Sequence, residues 1–469
     1  MQLKFFGGTG SVTGANFLMI FEEIAKKVSI AVDCGLVQGN EEAERINNEP
    51  FPYDPSSLDF LFVTHAHIDH IGRIPKLVKD GFKGRIISTP PTRDIAELLL
   101  EDMLGIMDHA SRKEGVLPLY DKQDVLKALS LWETLAYHVP LELGMGISVL
   151  LKDSGHILGS AMVEFSKKGL PAIPPHLGQT GVKILFTGDL GNSPSLLLND
   201  TEDIADANYI VMESVYGDRN HEPKDDRKRQ LIQIIEDTIK NKSLLIIPAF
   251  SLERTQVILY EMNEFFERVG ISQIPVFIDS PLATKITKVY EKYSSYLNET
   301  VREQIANGDD VFKFPRLKFT VRPDESERID MTPNPKIILA GSGMSNGGRV
   351  VSHERDHISD PNATILFVGY QAVGTLGRQI QEGASKVRIQ GQEKKVKAKI
   401  ASIEGYSSHK DSDGLLSFVE KAGESGVLEK VFVVMGELKS SLFLVQKIKD
   451  NLGVDAYHPE YEEKIDLNF

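Results

Sequence analysis

Within Val63-Thr64-His65-Ala66-His67-Ile68-Asp69-His70, three histidines and an aspartate fall inside a span of six positions. Neutral imidazole nitrogen and carboxylate oxygen are ligands for first-row metal ions, zinc foremost. In an extended turn His65 and His67 point the same way and can share one ion. Asp69 and His70 come next, placed to hold a second. Single histidines are usually just satisfied polar groups, but four ligand-type residues this closely set are not explained that way. The stretch reads as a metal site.

Three more ligand-type residues each lie at the end of, or close to, an apolar run. His156 sits in Ser154-Gly155-His156-Ile157-Leu158-Gly159-Ser160, just before a strand-like stretch over 161–165. Asp189 ends the run 183–189, and Glu213 ends 209–213. Taken singly, each fits a turn or cap. Strands that end in such residues are how an open sheet builds a site along one edge, and together with the histidine motif they complete two metal shells. Asp33 likewise ends an apolar strand over 28–32, before Cys34-Gly35. Aspartate at a strand end often only forms a turn; beside a histidine-rich metal loop, the expected role is to hold a ligand histidine in orientation.

The elements that must position these groups read as α/β. A strand over 58–63 would end at Thr64 and deliver the motif's four polar side chains onto one loop. Upstream, strands over 3–6, 16–21 and 28–33 flank a glycine-rich turn at Gly7, Gly8, Gly10 and Gly14. No helical pattern comes after those glycines, which disfavours a nucleotide-binding loop. Downstream the pattern predicts a helix over 71–78, a strand over 85–88, a long amphipathic helix over 91–107 and a helical cover over 108–140 bearing Trp132. His109 and His138 in that cover read as ordinary polar residues. Short apolar strands over 244–248, 275–278, 336–340 and 363–368, separated by helical patterns, predict a second, parallel sheet. Residues 167–180 form a Pro/Gly-rich insert containing His176, to which no function is assigned.

At 469 residues the chain exceeds one ordinary core, so two or three domains are expected. A 41% hydrophobic, 26% charged composition fits a soluble globular protein. The N-terminus lacks a signal-peptide pattern and no apolar run reaches the length of a membrane span, so no membrane partner is expected. The single cysteine, Cys34, excludes an intrachain disulfide and fits a reducing compartment, the cytoplasm. A net charge of −14 disfavours broad polyanion binding. Divalent ions and a local basic patch can still invert that field within a cleft.

The order Asp33, His65-x-His67-x-Asp69-His70, His156, Asp189 resembles the metallo-β-lactamase fold, and the remainder of the chain resembles its β-CASP branch. The match runs nearly end to end, through Asp33-Cys34-Gly35-Leu36, Thr187-Gly188-Asp189, Glu213-Ser214-x-Tyr216-Gly217 and Pro248-Ala249-Phe250-Ser251-x-x-Arg254-Thr255-Gln256. It continues in Asp279-Ser280-Pro281, Gly341-Ser342-Gly343-Met344, Gly347-Gly348-Arg349, Gly369-Tyr370-Gln371 and Gly374-Thr375-Leu376-Gly377. The chain is most similar to the prokaryotic RNA-processing nucleases of the branch. The resemblance implies an αββα sandwich, residues 1–217, interrupted by an α/β β-CASP cassette, 218–395, and resumed over 396–469.

It also implies a zinc-dependent ribonuclease acting through a metal-bridging hydroxide, with Mn2+ an alternative ion. His65, His67 and His156 would hold the first ion, Asp69 and His70 the second, and Asp189 would bridge. His409, in Gly405-Tyr406-Ser407-Ser408-His409, matches the histidine that pairs with the family acid, here Glu213, to protonate the leaving oxygen. Asp33, Asp69, Glu213 and His409 are thus the catalytic candidates. In the last strand relatives usually carry histidine before Gly-Glu, where this chain has Met435. A thioether is a poor zinc ligand beside oxygen and nitrogen donors, so the second ion is expected to bind more weakly. Relatives often dimerise, which makes a homodimer an expected assembly.

For substrate, Gly341-Ser342-Gly343 lies just after a predicted strand, and its backbone N–H groups could cradle a phosphate. Arg254, Ser342, Gly343, Arg349, Gly374 and Arg378 are the candidates, with carbonyl capping or pairing to carboxylates the plain alternative for the arginines. The stretch 386–399 alternates apolar residues with lysine and arginine and reads as a hairpin with one strongly basic face, a candidate contact for the nucleic-acid backbone. Three rivals remain at this stage: a small-molecule hydrolase of the superfamily, which the intact cassette disfavours; a catalytically weak or inactive RNA-binding scaffold, which the retained ligands disfavour; and a DNA nuclease, which phosphodiester chemistry does not distinguish.

Overall fold

Alternation of apolar and polar residues produces the first strands. In the computed structural model, which describes residues 1–24, 26–39, 41–168, 181–222, 224–269, 274–372, 374–403 and 405–469, β1 (Gln2–Phe5), β2 (Phe17–Glu23) and β3 (Lys26–Val32) form an antiparallel meander. In register, Leu3 lies opposite Met19 and Met19 opposite Ile30. β4 (Phe60–Phe62), β5 (Arg85–Ser88) and β6 (Trp132–Thr134) add to β3 in parallel. Parallel neighbours need crossover connections, and helices supply them: Ile68–Ile71 and Ile74–Lys79 between β4 and β5, Pro90–Glu114 and Lys122–Ser130 between β5 and β6.

A second sheet comes next in the chain. β7 (Leu141–Gly144), β8 (Ile147–Asp153), β9 (Ala161–Lys168) and β10 (Gly181–Phe186) run antiparallel, and β11 (Tyr209–Met212) lies parallel to β10. The chain then builds a second compact unit over 221–408. Its strands β12 (Leu244–Pro248), β13 (Val276–Asp279), β14 (Leu317–Phe319), β15 (Lys336–Ala340) and β16 (Ala363–Val368) are followed by β17 (Lys386–Ile389), β18 (Gln392–Lys395) and β19 (Lys399–Ile403). β20 (Lys430–Val433), β21 (Ala456–Tyr457) and β22 (Lys464–Asp466) return to the first unit.

The first unit is an αββα sandwich of two seven-stranded sheets, ordered β22-β1-β2-β3-β4-β5-β6 and β21-β20-β11-β10-β9-β8-β7. One core fills the space between them, where Phe62 of β4 meets Phe165 of β9 edge-to-face at 5.1 Å and Phe17 of β2 meets Phe186 of β10 at 6.0 Å. Helices Ser412–Gly423 and Leu438–Leu452 pack Leu415, Phe418, Leu444 and Ile448 against the outer face of the second sheet.

The second unit carries a six-stranded parallel sheet, ordered β14-β13-β15-β12-β16-β19. β12 and β15 are buried at every position, as strands covered on both faces must be. β17 and β18 form a hairpin whose turn residues Gln390 and Gly391 both have positive φ, 47° and 82°, the two-residue turn that suits strand twist. Val387 and Ile389 point into the core and Arg388 points out.

Several expectations are corrected. The helix expected over 71–78 is two short helices broken at Gly72-Arg73, and the one starting at Ile68 takes Asp69 and His70 out of the loop. The long helix extends from Pro90 to Glu114, capped by the Thr89 hydroxyl. The supposed helical cover over 108–140 instead contains the parallel edge strand β6, which places Trp132 in the sheet, its indole N–H donating to Ser88 at 2.9 Å. β19 pairs with β16 in the second unit, so the chain returns later than residue 396. Residues 169–180 of the Pro/Gly-rich insert, His176 included, lie outside the described residues. No helix among the described residues is long and apolar enough to cross a membrane.

Inside the second unit, the Tyr290 hydroxyl donates to the buried Glu253 carboxyl, and burial raises that group from 4.5 to about 7. The folded chain therefore keeps this proton to higher pH than the unfolded chain. Its contribution to stability is complete below about pH 4.5 and is lost as pH rises through about 7. Glu253→Gln cannot ionise, so its unfolding free energy relative to wild type should rise by roughly 2–3 kcal/mol between pH 4 and pH 8. Urea denaturation of both proteins at the two pH values measures this; a pH-independent difference would contradict it.

Candidate metal centre

The centre lies wholly within the first unit, at the ends of β3, β4, β10 and β11 and in two loops. Behind it is Asp33, whose backbone sits at φ 59°, a conformation aspartate tolerates better than most residues. Its carboxylate accepts from the Thr64 backbone N–H (2.8 Å), the Thr64 hydroxyl (2.8 Å) and His70 Nδ1 (2.7 Å). The His70 Nδ1–H thus donates to Asp33, which turns Nε2 into the centre. The helix bearing Asp69 and His70 lies against the backbone of residues 34–36, with the Cys34 and Leu36 amides donating to the carbonyls of His70 and Ile68. Only glycine fits at position 35, where a Cβ would fall 1.6 Å from the Asp69 carbonyl oxygen.

Three ring nitrogens converge in front. His65 Nε2 is 3.0 Å from His67 Nδ1, and His156 Nε2 is 3.2 Å from the same atom. Asp189 Oδ2 lies 3.4 Å from both His65 Nε2 and His156 Nε2. A tetrahedral ion with bonds of about 2.0–2.1 Å holds its ligand atoms roughly 3.3 Å apart. Four edges of such a tetrahedron are therefore in place. Burial and the neighbouring imidazoles depress His67 and His156 well below the ordinary histidine value, which keeps their rings in the neutral, metal-binding form.

The other oxygen of Asp189 faces a second donor group. Asp189 Oδ1 is 3.4 Å from His70 Nε2, which in turn is 3.9 Å from Asp69 Oδ2. Both Asp189 Oδ1 and His70 Nε2 are buried and have no hydrogen-bond partner. A buried acceptor pair of this kind is costly unless a cation or proton lies between the two atoms. The donor set of imidazole nitrogens and carboxylate oxygens fits a divalent ion.

To one side, His409 Nδ1 lies 3.1 and 3.2 Å from the two oxygens of Glu213 and 3.9 Å from Asp189 Oδ2. Burial alone would lower His409, but the Glu213 and Asp189 carboxylates outweigh it and raise the ring to about 9. Glu213 is fixed by the Leu190 amide at 2.6 Å. His409 is fixed by its backbone bridge to Gly191 and by the Lys410 amide, which donates to the Leu190 carbonyl.

Thus the structure brings Asp33, His65, His67, Asp69, His70, His156, Asp189, Glu213 and His409 into one cluster. Met435 is buried at φ 49°, with its amide donating to the Gly8 carbonyl at 2.6 Å. Its thioether packs in the inter-sheet core over Gly8, where a Cβ would lie 2.4 Å from the sulfur. Two residues escaped the sequence reading. Thr64 hydrogen-bonds Asp33 and approaches His65 Nδ1 at 3.0 Å, and the Ser160 hydroxyl accepts from the amides of His156 and Ile157. Their signal was position alone, directly before and four residues after a ligand histidine.

The substrate-binding candidates lie in the second unit. Ser342 and Gly343 come just after β15, and the Ser342 hydroxyl accepts from the Asn346 and Gly347 amides at 3.1 and 3.3 Å. Arg254 begins helix Arg254–Val269, its guanidinium 5.6 Å from the Tyr406 ring centre. Gly374 is exposed at φ 88°. Arg378 pairs with Glu382 at 2.7 Å. Arg349 donates to Asp279 (2.7 Å) and to the carbonyls of Thr320 and Val321, so its guanidinium anchors a loop.

Three family models match consecutive parts of the chain: the metallo-beta-lactamase superfamily over 30–249, the Beta-Casp domain over 255–380 and the Zn-dependent metallo-hydrolase RNA specificity domain over 393–459. Ribonuclease TTHA0252 of Thermus thermophilus is 33% identical over 444 residues, covering 95% of each chain. Transcription termination factor FttA of Thermococcus kodakarensis is 32% identical over 480 residues, covering all of this chain and 71% of that protein. The FttA protein of Methanosarcina mazei is 30% identical over 470 residues, covering 97% of this chain and 70% of its own.

Removing the orienting carboxylate should weaken the centre without unfolding the sandwich. Asp33→Asn is expected to lower zinc affinity 10- to 100-fold, read by competition with a chromogenic chelator while the melting profile shows retained folding. Unchanged affinity would exclude the orienting role.

Proposed function

The chain belongs to the β-CASP family of metallo-β-lactamase-fold, metal-dependent ribonucleases, and from that membership we propose that it hydrolyses RNA phosphodiester bonds at the Asp189-centred cluster with two zinc ions of unequal affinity. The observation that carries the reading is the split of Asp189, with Oδ2 set among three histidine nitrogens and Oδ1 turned to the otherwise unpartnered His70 Nε2. His65, His67 and His156 would hold the tighter ion, and Asp69 and His70 the weaker one, since Met435 offers only a thioether packed over Gly8. When bound, the ions lower the pKa of water and neutralise phosphate oxygens.

The chain's own residues do the rest. Asp33 and Thr64 set the orientation of His70 and His65. Glu213 holds the His409 ring by Nδ1, and the ring passes a proton to the departing 3′ oxygen. Water adds to phosphorus, the P–O3′ bond breaks, and the products are a 5′-phosphate and a 3′-hydroxyl. The RNA specificity match and the ribonuclease relative support RNA over DNA as substrate. The convergence of His65, His67, His156 and Asp189 supports an active enzyme over a binding scaffold. A homodimer is the assembly we propose from the family resemblance.

Two expected outcomes test this. His67→Ala and Asp69→Ala should both abolish cleavage of a labelled single-stranded RNA while keeping the wild-type circular dichroism spectrum. Elemental analysis should show His67→Ala losing the tightly held ion and Asp69→Ala keeping it; retained cleavage in either variant would remove the assignment. The second concerns the exposed cations of the β17–β18 hairpin and the segment that connects it to β19. Replacing Lys395 and Lys397 together with glutamine should reduce the log–log salt slope of RNA binding by about 1.4, at about 0.7 per lost single-strand phosphate contact. An unchanged slope would show that this face is merely solvated.

A further inference from the structure

Phe250 and Tyr370 are large rings left 43% and 52% exposed, and they occupy equivalent places in the second unit. β12 and β16 are adjacent and parallel, and each ring lies two positions beyond its strand's last residue. Both thus lie at the carboxyl edge of the parallel sheet, where open α/β sheets bind ligands. Isolated exposed apolar residues need no explanation. Phe250 differs because its ring is seated and held.

The seat is Gly343, three residues past the end of β15, the other neighbour of β12. A Cβ on Gly343 would lie 2.7, 2.9 and 3.0 Å from Phe250 Cδ2, Cε2 and Cγ. Near-equal distances to three successive ring atoms put that position over the ring face; an approach to the ring edge would leave the outer two atoms much farther away. One face of Phe250 therefore lies on the Gly343 backbone. The seat is itself pinned, because the Gln371 side-chain amide, next to Tyr370, donates to the Gly343 carbonyl at 2.9 Å. The Phe250 carbonyl accepts from both the amide and the hydroxyl of Thr255, at 3.2 and 2.7 Å, which fixes the backbone that carries the ring.

A rigid ring with one face covered and part of its surface open is what a stacked nucleobase requires. Stacking is tolerant of sequence, because every base has a π-face. We propose that Phe250 is a nucleobase-stacking platform for the RNA substrate and that Tyr370 supplies a second stacking position beside it. The proposal rests on the ribonuclease reading and adds a contact to bases, which metal and phosphate chemistry do not supply. Gly343 acts here as a positioning residue, bare so that the ring can lie flat on its backbone.

The test uses the zinc-loaded full chain and two fluorescein-labelled, phosphorothioate-linked eight-residue RNA oligomers of equal charge, one with bases and one abasic throughout. Phe250→Ala should weaken binding of the base-bearing oligomer roughly 5- to 100-fold and leave abasic binding unchanged. Phe250→Leu, which keeps apolar cover over Gly343 but has no ring, should behave like Phe250→Ala. Phe250→Trp should bind as tightly as wild type. Unaltered binding of the base-bearing oligomer by Phe250→Ala and Phe250→Leu, or an equal loss for both oligomers, would overturn the stacking role. Failure of the wild-type chain to bind either oligomer would overturn the ribonuclease reading and the inference with it.

Discussion

Asp189 is a buried carboxylate, and the rest of the centre depends on how its two oxygens are shared. One oxygen belongs to the His65, His67 and His156 nitrogens and the other to His70. A charged group this buried persists only where cations or imidazoles surround it, so every neighbouring element is constrained to present a nitrogen at the right height. The short helix from Ile68 must lie flat on Gly35, Ser160 must hold the His156 loop closed, and Asp33 must accept the hydrogen bond from His70 Nδ1–H. The sandwich provides this rigidity by filling the space between its sheets with interlocking phenylalanine rings.

The division between legible and hidden features reflects where the information lies. The His65–His70 motif could be read because its ligands are neighbours in sequence, Glu213 because it terminates an apolar run, and Asp189 because it lies just past one. The fold class was accessible in the same way, through strand and helix periods. Partnerships between distant residues were not. Nothing near Arg349 announces Asp279, seventy positions earlier, yet that pair decides what its guanidinium does. Thr64 carries an ordinary hydroxyl whose importance appears only when Asp33 is folded beneath it.

Edge elements failed for a different reason. β6 has three residues, too few to display a period, and its parallel pairing with β5 is a tertiary fact. β19 continues the lysine-rich alternation of the hairpin before it, so no break in pattern marks its transfer to the six-stranded sheet. At Met435 the residue type suggested a vacated ligand position, whereas packing reveals a second reason for the side chain: it covers Gly8 between the sheets.

The pairing of β1 with β22 bears on how this molecule is made. Residues 2–4 leave the ribosome long before their outer neighbours, residues 464–466. β11 waits similarly for β20, which is synthesised only after the whole inserted unit. The second unit has its own local sheet and can fold while the first still presents unpaired strands. Nascent chains of this topology carry open sheet edges until those late strands are made, a state prone to mispairing and to capture by chaperones.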